Sequence, residues 1–382
     1  MKLAVITSRI PYPLDKGDKL RLYHQLKSLN RHFEICLICF SDSKQEEIPQ
    51  ALREITNEVH IIQLPKWRIL LNVFLALFSN TPFQVAYFFQ RQAKQKVDEI
   101  IKQFQPQHLY CQLIRTAPYV SEYYQIHKSI DFMDALSKAA ERRYKTSRGL
   151  YKWFWKEEWS RTKNYETKCH LYFQNHFIIS ENDLSFLSLP PNPKTIILPN
   201  GASQNTHVSE NVSKNIDVLF VGNMSYPPNQ RAAEDLHRIH SQLPSEITFQ
   251  IAGVNPSKDL VGFSTSSFKV SGYIPDIELC YTQAKVFVAP MTIGAGMQNK
   301  ILEAMSAKLP VITTSLAAKA FQNVSESAIV IEDDLSKYPK LIQHYVSNAE
   351  KSNRDGELNL NYVRKFYNWD NVNEILIQQM NK

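Results

Sequence analysis

Glycine is scarce in this chain, with 10 in 382 residues. Few turns can rely on left-handed backbone, so each glycine beside a strand end is informative. Cysteine is sparse too. The five residues Cys36, Cys39, Cys111, Cys169 and Cys280 are odd in number and widely scattered, which excludes a disulfide framework. Cys36 and Cys39 fall in the apolar run Phe33–Phe40, which reads as a strand. A spacing of three there sends the two thiols to opposite faces, so no metal pair is expected. No Asp-x-Asp occurs anywhere, so a divalent-metal mechanism has no visible ligand pair. The longest apolar stretch, Ile69–Phe78, is interrupted by Asn72 and is far shorter than the about 20 residues a membrane-crossing helix needs. Leu3–Thr7 is too short for the core of a secretory signal, and a cytoplasmic location is expected.

What is present is an ordinary globular composition, with 43% hydrophobic and 21% charged residues. A formal charge of +7 fits an anionic ligand or an anionic membrane surface and does not by itself argue for nucleic acid. The length suits two domains.

Short β-branched runs alternate with amphipathic stretches. In the first half the expected strands are Leu3–Ser8, Glu34–Phe40, Val59–Leu64, Leu109–Gln112, Ser129–Asp134 and Phe177–Ser180, with helices such as Lys19–Leu29 and Lys94–Phe104. A break follows at Ser188–Gln204, rich in proline and holding Asn200-Gly201. The alternation then restarts with Asp217–Val221, Phe249–Ala252, Phe268–Val270, Val286–Ala289, Val311–Thr314 and Ile329–Ile331. The pattern implies an α/β chain of two Rossmann-like, doubly wound parallel-sheet domains. Their expected extents are 1–198 and 199–365, with a C-terminal helix at about 366–382 packing back on the first. Ligands of such sheets bind beyond the carboxyl ends of the strands, here expected in a central cleft that the two domains face.

The most specific segment is Gly294-Ala-Gly-Met-Gln-Asn-Lys300-Ile-Leu-Glu303, after the strand Val286–Ala289. Its glycines let backbone approach a ligand, and the helix that starts there aims free N–H groups at an anion. Lys300 lies about one turn in, within reach of a diphosphate. Glu303, on a neighbouring helical row, could accept bonds from two ribose hydroxyls. The plainer alternative is a glycine loop with a solvated Lys and Glu. The flanking Ala304-Met305 and Pro310-Val-Ile-Thr-Thr314, a helix running into a parallel strand, favour the anion site.

The run from Gly294 to Thr314 resembles the signature of family 4 glycosyltransferases, which have the GT-B fold. Arg9-Ile-Pro-Tyr-Pro13 through Arg21, Ser180-Glu-Asn-Asp183, Leu198-Pro-Asn200-Gly201, Phe220-Val-Gly222, Ala252-Gly253 and Gly272-Tyr273 resemble further segments of that family in order. Lys16-Gly-Asp-Lys19, Asp131-Phe-Met-Asp134, Tyr226-Pro-Pro-Asn229, Asn255-Pro-Ser257 and Gln298-Asn-Lys300 are similar to sugar transferases of bacterial exopolysaccharide systems. The resemblance implies transfer of a sugar, with retention, from a nucleoside diphosphate donor to a hydroxyl of a glycan or lipid-linked glycan, without metal or other cofactor. It implies that Gly294, Gly296, Gln298, Asn299 and Lys300 hold the diphosphate, Glu303 the ribose, and Gly272 and Tyr273 the base, with Gly222 also donor-binding. Gly17 would approach the phosphates, with Lys16, Lys19 and Arg21 as nearby charge. Asp131 would meet the acceptor, and Lys300 and Asp131 form the expected catalytic pair. Asp134 reads equally as the N-cap of the next helix.

Two positions depart from the family pattern. Ala295 stands where many members carry a donor-binding Glu, and after Gly222, where many carry Arg and Lys, there is Asn223 and no nearby Lys. Two other functions therefore remain open: a nucleotide-sugar epimerase, which needs no acceptor, and a non-catalytic protein that keeps the nucleotide pocket.

From Val59 to Val97 there is no acid, yet there are five Lys or Arg and seven aromatic residues. Segment 66–96 therefore suits an anionic membrane surface, placing the protein peripherally on the inner face of the plasma membrane. A second basic-aromatic run covers Arg142–Trp159. The alternative for both is core helices beside the sheet.

Overall fold

The computed structural model describes residues 1–43, 47–188, 195–202, 213–294 and 296–381. The chain divides into two compact units, Met1–Pro199 with Val372–Lys382, and Asn200–Asn371.

The first unit is a seven-stranded parallel sheet in the order β3-β2-β1-β4-β5-β6-β7. Its strands are β1 (Lys2–Thr7), β2 (Glu34–Ser41), β3 (Glu58–Gln63), β4 (His108–Gln112), β5 (His127–Met133), β6 (Asn175–Ile178) and β7 (Thr195–Ile197). Strands such as β2 are buried on both faces, as a parallel sheet between helices requires. Cys36 packs into the core on one face and Cys39 into the core on the other. The C-terminal helix Trp369–Met380 closes one face, burying Val372, Leu376, Ile377 and Met380 against Leu3, Val5 and Leu22. Its Asn373 donates to Ser28 Oγ at 2.9 Å and to the His24 carbonyl at 3.0 Å.

The second unit is a six-stranded parallel sheet, ordered β10-β9-β8-β11-β12-β13. Its strands are β8 (Ile216–Val221), β9 (Phe249–Ala252), β10 (Phe268–Ser271), β11 (Ala284–Ala289), β12 (Val311–Thr313) and β13 (Ile329–Ile331). Its chain order reverses between β8 and β11, the switch point where such sheets open toward ligands.

The structure adds β7, which lies inside the stretch read as a break. Three residues between prolines leave no periodicity to read. Residues 189–194, 203–204 and Ala295 lie outside the described residues. The helix after β1 spans Gly17–Leu29, so Gly17 occupies its first turn rather than a loop before it. Strand β5 ends at Met133, not Asp134. Met133 has φ 58°, and the pairing with β6 slips between Asp131 and Met133.

Candidate functional site

The expected donor-binding residues of the second unit gather at the carboxyl ends of its strands. Gly222 follows β8, Gly272 and Tyr273 follow β10, and the loop after β11 leads into the helix Asn299–Ser306. Gly294 and Gly296 have φ of 117° and 82°, a region glycine reaches at little steric cost. They turn the loop so that Gln298 becomes the N-cap of the helix.

Gly222 is required by packing. A Cβ there would stand 2.7 Å from Asn229 Nδ2. Asn229 comes from the first turn of the helix Pro227–His240. Its Nδ2 donates to the Asn223 carbonyl at 2.9 Å, which turns its Oδ1 toward Lys300. The Lys300 ammonium donates to that oxygen. It also lies over the Phe220 ring, 4.7 Å from its centroid, and 3.9 Å from the Met291 sulfur. Lys300 is thus a buried cation on a neutral amide, and burial brings its pKa down to about 7. Among the described residues no ion pair to Lys300 is found, although the nearby Glu303 carboxyl favours its charged form.

Glu303 is half-buried. Its Oε2 accepts the Tyr281 hydroxyl at 2.8 Å, and burial raises its pKa. One carboxylate oxygen is therefore tied to the protein and the other is left to take a ligand. Asn299 Oδ1 accepts Asn200 Nδ2 at 2.8 Å, and Gln298 Nε2 donates to the Gly296 carbonyl at 3.3 Å. Tyr273 is 75% exposed, and nothing lies within 4 Å of a Cβ on Gly272, which leaves open surface where a base could stack. Asn229 and Asn200 escaped the sequence reading as site residues. Both stood in quoted motifs, but only the fold shows what they touch.

In the first unit the expected roles of two carboxylates change. Asp131 is 0% exposed. Its Oδ2 accepts Arg21 Nε at 2.6 Å, Gln25 Nε2 at 3.0 Å and Tyr110 Oη at 3.0 Å. Its Oδ1 accepts Arg21 Nη2 at 3.2 Å and the Met133 amide at 2.9 Å. With all acceptor positions filled, Asp131 holds β5 to the helix Gly17–Leu29 and cannot meet an acceptor. Arg21, equally buried, also donates to the Pro199 carbonyl at 3.1 Å and is not free charge for a phosphate. Asp134 keeps contact with solvent and does not cap the next helix, whose N-cap is Ala135. That helix start is instead satisfied by the buried Glu166, whose Oε1 accepts the Ser137 amide at 3.0 Å. The surrounding protein and the nearby Asp183 carboxyl raise the pKa of Asp134 to about 7.

Among the described residues, Cys36, Glu58 and His60 are the group of metal-ligating type whose donor atoms lie close together. They sit toward the amino ends of β2 and β3, and burial pushes the Cys36 thiol up to about 12, which makes it a poor thiolate ligand.

Residues 215–348 match the family model of the group 1 glycosyl transferases. An uncharacterized 44.6 kDa protein in the cps region of Klebsiella pneumoniae is 24% identical over 372 residues, covering 91% of each chain. Sucrose-phosphate synthase from Thermosynechococcus elongatus superposes with TM-score 0.73 at 12% identity, covering 100% of this chain and 98% of that one. Anabaena HepE in complex with UDP and glucose gives TM-score 0.72 at 12% identity over 100% of both chains. The fold is GT-B, and residues 215–348 of the second unit are similar to the group 1 glycosyl transferases.

Proposed function

We propose that this chain moves a sugar from a nucleoside diphosphate sugar to a hydroxyl of a glycan or lipid-linked glycan in bacterial polysaccharide synthesis, with retention of configuration. The observation that carries this reading is Lys300: a buried cation resting on an amide oxygen, in the first turn of a helix that begins at a switch point after two positive-φ glycines. A diphosphate supplies the anion this arrangement lacks. In transfer, the bond from the donor's anomeric carbon to phosphate oxygen breaks, and a bond from that carbon to the acceptor oxygen forms. The hydroxyl proton leaves with the nucleoside diphosphate. Lys300 and the amides of the helix start stabilise the charge that gathers on the departing diphosphate, so no metal is required. Glu303 Oε1 takes a ribose hydroxyl. The cps-region relative supports the polysaccharide setting.

We also assign the helix Lys66–Ala76 to an anionic bilayer. It turns Ile69, Val73 and Ala76 inward and Trp67, Leu70, Leu71 and Phe74 outward. Leu70 is 72% exposed and Phe78, just beyond the helix, 79%. Lys66 and Arg68 stand at its start, and no acid occurs from 59 to 97, which matches anionic headgroups in charge. Leu150, Tyr151 and Trp153 extend the apolar exposure on the helix Gly149–Tyr172.

A binding screen tests the donor reading. The full chain is titrated with a panel of nucleotide sugars, and one should bind in the wild type and bind weakly to Glu303→Ala. No binding to any member would overturn it.

A further inference from the structure

The nitrogen of Lys300 is placed as a nucleophile as well as a cation. Neutral groups from three other segments surround it: the Asn229 amide of the helix Pro227–His240, the Phe220 ring of β8 and the Met291 sulfur after β11. The carboxyl that acts on it is Glu303, on its own helix, and Glu303 is bonded to Tyr281 of the helix Ile277–Gln283. Burial outweighs that carboxyl and brings the amine down to about 7. Much of Lys300 is therefore a free amine at neutral pH, with its lone pair available. An ordinary lysine titrates near 10.5, so less than about 1% of it is in that form at pH 8. A desolvated lysine with a lowered pKa is the kind that attacks carbonyl carbon.

The helix start beside it suits a phosphate. The helix Asn299–Ser306 opens after Gly294 and Gly296, and the amides of its first turn have no carbonyl of the helix to reach. Lys300 is the second residue of that helix, and helical side chains lean toward the N-terminus, which brings its amine to the same end. A neutral amine beside a phosphate cradle favours one class of electrophile, an acyl phosphate, whose reactive carbonyl carbon is bonded to a phosphate oxygen. Holding the phosphate brings that carbon to the amine and stabilises the phosphate as it leaves. Lys214 supplies a contrast within the same unit. Burial and the nearby Lys285 lower its pKa too, but it precedes β8 at the amino end of the sheet, whereas the helix start follows β11 at the carboxyl end.

Building on the reading that this helix start takes a diphosphate, we propose that Lys300 is an acylation site: small acyl phosphates dock there by their phosphate and transfer the acyl group to its nitrogen, shutting the donor site. The Nζ lone pair attacks the acyl carbon and forms the C–N bond. The bond from that carbon to phosphate oxygen breaks, and its electron pair leaves with inorganic phosphate. The nitrogen gives up one proton to solvent. The product is a neutral amide. It brings no charge to a diphosphate and adds the bulk of the acyl group where the diphosphate binds. The chain is thereby switched off as acyl phosphate accumulates, by a reaction that needs no second enzyme.

The test incubates the full chain with acetyl phosphate at pH 8 and follows acetyl-lysine at each position by mass spectrometry. Acetic anhydride, which has no phosphate, serves as the comparison reagent. With acetyl phosphate, Lys300 should be acetylated at least about tenfold faster than Lys214 and than the exposed Lys340. With the anhydride its lead over Lys214 should shrink severalfold. Inorganic pyrophosphate should protect Lys300 from acetyl phosphate and leave Lys340 unprotected. Asn229→Asp keeps the ammonium charged and should slow the reaction at Lys300 at least about tenfold. A melt checks that variant's fold, and the wild-type comparisons stand without it. Acetylated chain should bind the donor at least about tenfold more weakly. Lys300 reacting no faster than Lys340, an equal lead over Lys214 in both reagents, no protection by pyrophosphate, or undiminished donor binding after acetylation would overturn the proposal. If Lys300 escapes acetylation while a nucleotide sugar binds and turns over, the acylation alone falls. If Lys300 is acetylated and protected as expected but no nucleotide sugar binds, the acylation site stands and the transferase reading falls.

Discussion

The ammonium of Lys300 rests on the side-chain amide oxygen of Asn229 and not on a carboxylate. The amide fixes the position of the cation without neutralising it, so the charge is available to a ligand. Asn229 is itself oriented by the Asn223 carbonyl, under the space that Gly222 leaves empty. Asn223 thus serves through its backbone at a position where the family resemblance implies a basic side chain.

This geometry predicts a proton signature. With a pKa near 7, Lys300 is largely neutral at pH 8.5 in the free protein. A bound diphosphate favours the charged form, so donor binding at pH 8.5 should take up about one proton. Calorimetry in buffers of different ionisation enthalpy measures it. Asn229→Asp places a carboxylate beside Lys300 and should abolish the uptake. The sign also fixes a stability trend. The unfolded lysine titrates near 10.5, so the unfolded chain binds more protons between about pH 7 and 10.5, and this site's contribution to stability rises with pH across that window. Lys300→Met should flatten that rise in chemical melts.

Glu303→Ala removes charge-assisted hydrogen bonds worth about 1.5–3 kcal/mol each. Donor affinity should fall by about tenfold to a hundredfold for one such bond, at 1.4 kcal/mol per factor of ten. Tyr281 loses its acceptor as well, so a melt beside the calorimetry checks the fold. Unchanged donor affinity would make Glu303 only the partner of Tyr281.

Asp131 and Asp134 should part in their effects. Asp131→Ala leaves the Arg21 guanidinium buried without its charge partner, at a cost of about 3–5 kcal/mol. Urea unfolding should show that loss in the first unit. Asp134→Asn removes a carboxyl whose pKa the protein raises, so it should keep or raise stability at neutral pH. An Asp131→Ala chain as stable as the wild type but unable to transfer sugar would restore Asp131 as an acceptor group.

Trp67→Ser with Phe74→Ser should leave the melting temperature unchanged, because these side chains are 61% and 56% exposed. The same pair should weaken sedimentation with anionic vesicles. Each Lys or Arg near such a surface adds about 1 kcal/mol that salt screens, while the apolar contribution persists, so wild-type binding should weaken at high salt without vanishing. Failure of the wild type to sediment at low salt would remove the bilayer from the account.

The twelve strands expected from alternating apolar runs are all present, because a parallel strand buried on both faces reads as one short β-branched run. Strand β7 was hidden by the prolines around Thr195–Ile197. Asp131 was read as meeting an acceptor and Asp134 as a helix cap, and both placements differ for a local reason. Met133 takes a left-handed conformation, and this slip, invisible to a count of alternating residues, ends the strand early and turns Asp134 toward solvent. The glycine loop and Lys300 were legible because their chemistry is contiguous in sequence. Asn229 and Asn200 were not, because each meets the donor helix only after distant segments have folded together. The apolar face of Lys66–Ala76 was legible as composition. Which of its residues point outward required the helix to be placed against Phe83 and Phe154.

The central claim is acceptor-dependent transfer, and release of nucleoside diphosphate measures it most directly. The full chain is incubated with the nucleotide sugar it binds, with and without a bacterial membrane lipid extract, in EDTA. Release should be strong with extract, weak without it, unaffected by the chelator, and slowed more than donor binding is weakened in Lys300→Ala. A sugar isomer formed equally without extract, or no release under either condition from a chain that binds the donor, would contradict the account.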